Sequence, residues 1–303
     1  MTDDPVARLA VVTVVFHPPD GCLERQAAAL PPEVLWVLVD NGTNDEAAAR
    51  LQALASTRAN TVVLRNEVNL GLAAALNRGA AHVSDTHPSR DLLLLLDQDT
   101  APRPGSIGCL LQAFNGMEDA SVGCVGPTLV DTTTGLPHGF HCIRGPFWTR
   151  RFPAFDATPI ECANINGSGT LMRLDVFRRL GGLDETLFVD HVDTEWSFRL
   201  RAAGLSLFGV PAARFDHAMG ERGIRFWLFG WRVWPQRSPA RHFTLFRNAV
   251  ALLGREYVPM VWKVWCVAKL SATLAAHAAL DRRRGAQASS MLSGIRAGLR
   301  RNR

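Results

Sequence analysis

The sequence has no Cys-x-x-Cys pair, no closely spaced glycine loop after its first apolar run, and no uninterrupted apolar stretch long enough to cross a bilayer. Each absence excludes a class. The six cysteines, at positions 22, 109, 124, 142, 162 and 266, stand apart from one another. They argue against a zinc or redox motif and read as small buried hydrophobes in a reducing compartment. Where a dinucleotide-binding enzyme needs Gly-x-Gly-x-x-Gly, this chain has His17-Pro18-Pro19-Asp20-Gly21, so its backbone cannot approach a pyrophosphate in that way. A Walker A loop is also missing, as is the early glycine-rich loop of a nucleotidyltransferase. Acidic residues precede the first short apolar run, which is not a secretory leader, and a cytoplasmic protein is expected. Residues 258–280 are mostly apolar, but Lys263, Lys269 and His277 interrupt them. That pattern predicts an amphipathic surface helix rather than a span.

The net charge of +5 hides an asymmetry. Residues 221–303 hold 16 basic and 3 acidic residues, a net of +13, while residues 1–220 carry 17 and 25, a net of −8. Five of the eight tryptophans, Trp227, Trp231, Trp234, Trp262 and Trp265, share the basic tail. A basic, aromatic tail suits either nucleic acid or an anionic membrane surface. No nucleic-acid motif accompanies it, and the acidic first part does not fit that reading.

What the chain does have is a leucine strand, residues 92–96, running straight into Asp97-Gln98-Asp99. A continuous apolar run of this length predicts a strand buried on both faces of an α/β sheet. Ahead of it, apolar runs at 9–16, 34–39 and 61–65 alternate with helical patterns at 22–30, 45–56 and from 72. This βαβαβαβ order predicts a mainly parallel sheet flanked by helices. Ligands of such sheets sit beyond the carboxyl ends of the strands. Polar residues gather at those ends: Thr13, then Asp40 and Asn41, then Asn69 and Gly71, then Asp97 and Asp99. Each alone could be a cap or turn; together they suggest a nucleotide pocket. Pro104 is expected to open the next helix, 105–117. Residues up to about 158 read as a long irregular region. Residues 208–211 and 213–217 read as a short strand pair, and three acids in 190–195 read as opening a helix.

The motifs Asp40-Asn41-Gly42, Asn69-Leu70-Gly71 with Asn77 and Gly79, and Asp97-Gln98-Asp99 together resemble the family 2 glycosyltransferases of GT-A fold. Gly181-Gly182-Leu183-Asp184-Glu185 is a further marker of that family, and Asp190-His191-Val192-Asp193-Thr194-Glu195-Trp196 resembles its rhamnosyltransferase branch. The resemblance implies a GT-A domain over residues 1–220 and a basic, tryptophan-rich helical extension over 221–303. It implies that Asp40 reads the donor's base, that Asp97 sits near its ribose, and that Asp99 holds Mg²⁺ or Mn²⁺ with His217 completing the metal shell. Asn166, Gly167 and Ser168 would face the donor sugar. Asp193 would be the catalytic base, with Asp190, Glu195 and Trp196 around the acceptor, and Arg241 and Arg247 would pair with the diphosphate. Val192, where the branch usually has Glu, and His242-Phe243, where it usually has tyrosines, depart from the pattern.

The implied activity is inverting transfer of L-rhamnose from dTDP-L-rhamnose to a growing or polyprenyl-linked saccharide in polysaccharide or cell-wall synthesis. The C-terminal region would make peripheral membrane contact on the inner face of the plasma membrane, without nucleic acid, and a homo-oligomer is compatible. The alternatives are another UDP- or GDP-sugar as donor, or a nucleic-acid- or membrane-binding protein without transferase activity.

Overall fold

The computed structural model describes residues 4–117, 121–218, 223–227, 231–235 and 237–302, with 223–227 and 231–235 as backbone. Two compact units emerge: Met1–Phe188 with Val192–Ala218, and Val189–His191 with Met219–Arg303. The boundary expected at 220/221 lies outside the described residues, as do the side chains of Trp227, Trp231 and Trp234.

The first unit opens with β1 (Leu9–Val15), α1 (Cys22–Ala29), β2 (Leu35–Asn41), α2 (Asp45–Ser56), β3 (Thr61–Asn66), α3 (Leu72–Thr86) and β4 (Leu92–Asp97). These strands pair in parallel in the order β3-β2-β1-β4. The leucine run alternates as a strand must. Leu93 and Leu95 enter a core with α3, while Leu92, Leu94 and Leu96 enter another with Leu23, Leu51 and Phe114 on the opposite face. Register aligns the carboxyl ends, with Val14 opposite Asp97 and Val15 opposite Asp40.

Beyond β4 follow β5 (Thr100–Pro102), α4 (Ser106–Gly116), β6 (Val122–Asp131), β7 (Phe140–Arg144), β8 (Phe147–Arg151), β9 (Ile160–Cys162), β10 (Thr170–Arg173), α5 (Leu174–Arg179), a 3₁₀ turn (Glu185–Leu187), α6 (Val192–Ala202) and β11 (Ser206–His217). Here the sheet is mixed. β10 runs antiparallel between β4 and β6, β6 pairs in parallel with β11, and β11 takes β5 and β9 antiparallel.

Four local expectations are corrected. Pro104 does not open α4: Gly105, in the left-handed region at φ 78°, is the N-cap and Ser106 the first helical residue. The supposedly irregular stretch contains the hairpin β7–β8, closed by Gly145-Pro146 with Gly145 at φ 54°, a two-residue turn that glycine permits. Residues 206–217 form one strand, because a bulge between Val210 and Arg214 absorbs Pro211 and lets pairing with β6 resume. Helix α6 begins at Val192, and Asp190 and His191 stand outside it at φ 59° and 63°.

In the second unit, β12 (Gly223–Trp227) pairs antiparallel with β13 (Trp231–Pro235) and is followed by α7 (Pro239–Leu253), α8 (Met260–Leu280) and α9 (Arg284–Arg301). Ser238 caps α7 by accepting from the Arg241 amide, with Pro239 at the first helical position. Helices α7 and α9 meet backbone to backbone: a Cβ at Gly294 or Gly298 would fall within 2.6 Å of the Phe243 or Arg247 carbonyl oxygen. No described helix is long and apolar enough to cross a membrane.

Candidate active site

The turn that follows β4 is built by residues distant in sequence. β5 lays its backbone against the end of β11, pairing Thr100 with His217, and the Ala218 amide donates to the Asp99 carbonyl at 3.1 Å. The Thr100 hydroxyl meets His217 Nδ1 at 2.5 Å, and the same nitrogen lies 3.4 Å from Asp99 Oδ1. Asp97, Asp99 and His217 each place one ligand atom within 4.8 Å of the others. Burial raises the Asp99 carboxyl above the usual carboxylate range, opposed by the nearby His217. Two carboxylates and an imidazole gathered this closely, one of them in a site that disfavours its charge, make a donor set suited to a divalent cation.

Two braces hold this turn. Gln26, fully buried on α1, donates its amide to the Asp97 carbonyl at 3.1 Å and the Thr100 carbonyl at 2.5 Å. Its Oε1 accepts from the Thr13 hydroxyl at 2.6 Å, which in turn accepts from Trp36 Nε1 at 3.0 Å. From the other side, Ser168 Oγ accepts from the Asp97 amide at 2.9 Å and lies 2.8 Å from Thr100 Oγ1. The adjacent residue, Gly167, donates its amide to Asp193 Oδ2 at 3.2 Å, while Asp193 Oδ1 accepts from the Thr194 amide at 2.7 Å. Consecutive residues therefore tie the half-buried Asp193 carboxylate to the turn bearing Asp97 and Asp99.

Several of the expected site residues also make contacts within the fold. Thr13 is fully buried with its hydroxyl engaged by Gln26 and Trp36, so it supports the turn. Ser168, 3% exposed, likewise faces the turn. The Asn41 amide bonds Asn69, Gly71, Asn66 and the Leu70 amide, closing the 66–71 loop onto β2. Asn69 also accepts from the Gly71 amide, and Gly71 is pressed against Phe188, where a Cβ would meet the ring at 2.5 Å. Asn166 is half-buried, its carbonyl accepting from the Thr170 hydroxyl. Glu195 is fully buried and both its oxygens accept from Arg199 at 2.8 Å. Arg199 continues to the Leu180 and Gly182 carbonyls, so this pair pins the Gly181-Gly182 turn. Trp196 packs at 3% exposure between Phe177 and the Arg199 guanidinium.

In the second unit, Asp190 and Arg241, expected at acceptor and diphosphate, pair with each other at 2.9 Å. Arg247 donates Nε to Asn248 Oδ1 and sits over the Phe243 ring, while Asn248 donates to the Val189 and Asp190 carbonyls.

Asp40 is different. Oδ1 accepts from the Thr43 amide at 2.9 Å, but Oδ2 is buried without a hydrogen bond, with Arg65 Nε 3.5 Å away. A buried carboxylate oxygen in that condition is costly unless a further donor reaches it.

The mixed sheet flanked by helices, with a two-carboxylate turn, a histidine and a helix-borne aspartate at its carboxyl edge, has the GT-A glycosyltransferase fold. Residues 20–181 match the family described as glycosyl transferase family 2, more than half of the chain, and the chain belongs to that family. It is 28% identical over 272 residues to the dTDP-rhamnosyl transferase RfbF of Shigella flexneri, covering 85% of this chain and 84% of that one. It is 30% identical over 236 residues to the N-acetylglucosaminyl-diphospho-decaprenol L-rhamnosyltransferase of Mycobacterium tuberculosis, covering 68% and 75%. Among solved structures, the mannosyltransferase PcManGT of Pyrobaculum calidifontis, in complex with GDP-Man and Mn²⁺, shares the fold at a TM-score of 0.56 and 14% identity over 96% of this chain and 87% of that one.

Proposed function

We propose that this family 2 glycosyltransferase transfers L-rhamnose from dTDP-L-rhamnose, with inversion, to a lipid-linked or growing saccharide. The observation that supports the reading is the Gly167-Ser168 link, which ties the Asp193 carboxylate to the turn bearing Asp97 and Asp99. The printed names of the relatives support rhamnose as the sugar and a diphospho-prenol as the acceptor's carrier.

In this mechanism Asp193 takes the proton of the acceptor hydroxyl, whose oxygen attacks the anomeric carbon as the bond to the diphosphate breaks. The Gly167 and Thr194 amides keep that carboxylate oriented, which supplies part of the entropic advantage of a fixed geometry. Asp40 Oδ2 accepts from the imide of the thymine base, satisfying the oxygen that lacks a hydrogen bond. Asp97, Asp99 and His217 would hold Mn²⁺ or Mg²⁺, which would supply Lewis-acid stabilisation of negative charge on a diphosphate. The acceptor's membrane is met by the second unit on the inner face of the plasma membrane. There α8 exposes Met260, Val264, Val267 and Leu280 beside Lys263 and Lys269.

Calorimetry with a nucleotide-sugar panel, in Mn²⁺, in Mg²⁺ and in chelator, tests the reading. Metal-dependent binding of dTDP-L-rhamnose above UDP- and GDP-sugars is the expected result. Preference for another nucleotide sugar discards rhamnose, and binding of none discards the transferase reading.

A further inference from the structure

Positive φ is rare for a residue with a side chain, because Cβ then crowds the backbone. Among the described residues four that are not glycine adopt it: His17, Phe188, Asp190 and His191. Three of these fall within positions 188–191, directly ahead of the helix that carries Asp193. Phe188 departs furthest. At φ 65° and ψ −64° it lies close to the rare, strained form of the γ-turn. Such a conformation persists only where the surroundings over-determine it. Burial does little to offset the strain, since the side chain is 39% exposed.

What fixes Phe188 lies on α3. Gly71 caps this helix without a side chain, and the Phe188 carbonyl accepts from the Leu72 amide at 2.6 Å and the Ala73 amide at 3.5 Å. The carbonyl thus satisfies amides that a helix start leaves without partners. The Phe188 ring closes on Gly71, where a built Cβ would sit 2.5 Å from it. Further along α3, Asn77 accepts from the Leu183 amide at 2.8 Å and donates to the Leu183 carbonyl and to Glu185 Oε1 at 2.9 Å. Residues 183–188 are therefore fastened along α3 at two points, with Leu187 fully buried between them. The start of α3 is itself anchored. Asn41, next to Asp40 on β2, donates to Asn69 Oδ1 and to the Gly71 carbonyl. Four residues beyond Phe188 α6 begins, and Asp193 is its second residue. The chain thus joins the strand end bearing Asp40, by way of Gly71 and Phe188, to the carboxylate held by the Gly167 and Thr194 amides.

We infer that Phe188 is a positioning residue for the transfer reaction: its inverted backbone and its ring set the start of α6, and with it the Asp193 carboxylate, against the nucleotide edge of the sheet. This rests on the transferase reading above and adds to it a residue that acts through the base without touching substrate.

The test compares Phe188→Ala, Phe188→Gly and Phe188→Tyr in the full chain by amide hydrogen exchange and by turnover. The probes are dTDP-L-rhamnose, Mn²⁺ and farnesyl-diphospho-N-acetylglucosamine, an acceptor of the diphospho-prenol type proposed above. Alanine removes the ring but keeps the steric penalty, so the backbone should relax to negative φ. Exchange at the Leu72 and Gly167 amides should then rise severalfold, while the Asp97 amide, held by Ser168, stays protected. kcat should fall about tenfold to a hundredfold, the scale of a misplaced catalytic group, with the donor KM near wild type. Glycine takes positive φ freely, so Phe188→Gly should keep more turnover and more Leu72 protection than Phe188→Ala, the reverse of the usual order of the two residues. Phe188→Tyr keeps the ring and should stay near wild type. Should Phe188→Ala melt early, Phe188→Leu replaces it and should show the same losses in milder form. Wild-type kcat in a folded alanine or leucine variant overturns the inference, whatever its melting midpoint, and so does a glycine variant no better than alanine. A loss confined to the donor KM places Phe188 at the donor and overturns it too. Wild-type turnover with indifferent Phe188 variants sinks this inference alone, whereas a wild-type chain that binds no nucleotide sugar removes the transferase reading and this inference with it.

Discussion

Asp193 and Glu195 are two residues apart on one helix, and their surroundings differ. Asp193 is half-buried and held by two backbone amides, whereas Glu195 is sealed against Arg199. Asp193→Asn should leave stability and donor affinity near wild type and lower transfer by about 10²–10⁴-fold, the usual worth of a general base, as read in a transfer assay. Glu195→Ala should instead lower the denaturation midpoint by the equivalent of about 3 kcal/mol, because it strands the Arg199 charge. A pH effect belongs to this scale too. The Arg8 guanidinium, at 2.8 Å from Nε, holds the Asp91 carboxyl below its ordinary value. A depressed folded pKa gives stability that is present above the unfolded value and lost as pH falls through the folded one. Asp91→Asn should therefore cost up to about 1 kcal/mol at neutral pH, small because the pair is partly exposed, and nothing in strong acid. The acids were legible as residues; their division was not. Spacing shows that 190, 193 and 195 are near neighbours, but not that Arg199 occupies both oxygens of one of them. Gln26 was missed for the same reason, since nothing in its helical surroundings signals a bond to carbonyls over 70 positions away.

At the level of elements, β1 to β4 and their helices were readable because period and length agree with the sheet they form. β6 to β11 were less so. A strand interrupted by Pro211 looks like two, since only the partner β6 shows that the interruption is a bulge. The hairpin β7–β8 carries a Gly145-Pro146 turn, but its strands do not alternate cleanly between apolar and polar, so period gave no support. The segment joining Ser168 to β10 depends on Gly169, at φ 84° and with Pro127 Cγ only 2.4 Å from a built Cβ. Gly169→Ala should destabilise the protein by about 1–3 kcal/mol, through overpacking and a strained backbone, as followed by thermal unfolding. Because Ser168 braces Asp97 and Thr100, the same substitution should weaken Mn²⁺-dependent donor binding more than its stability cost alone explains.

The whole molecule combines an acidic first part and a strongly basic C-terminal part, which composition alone displays. What the basic part does was not legible, because the same charges suit several anionic partners. The exposed apolar residues of α8 narrow the choice. Val264→Glu combined with Val267→Glu should reduce co-sedimentation with anionic vesicles severalfold, since each adds a like charge and removes apolar contact. Transfer to a water-soluble acceptor should be retained, and unchanged sedimentation would mean that α8 does not meet lipid.

Three residues of the chain, Val189–His191, belong with the second unit although they interrupt the first. Asn248 bonds the carbonyls of two of them and Arg241 holds the Asp190 side chain, immediately before the helix that carries Asp193. The units are consequently not separate inheritable parts. A chimera that exchanges residues 219–303 for those of a relative, but keeps the original 189–191, would leave mismatched partners at 189–191, just ahead of Asp193 in the chain. Recombination between members of the family should succeed only when the short internal segment and the distant tail are exchanged together.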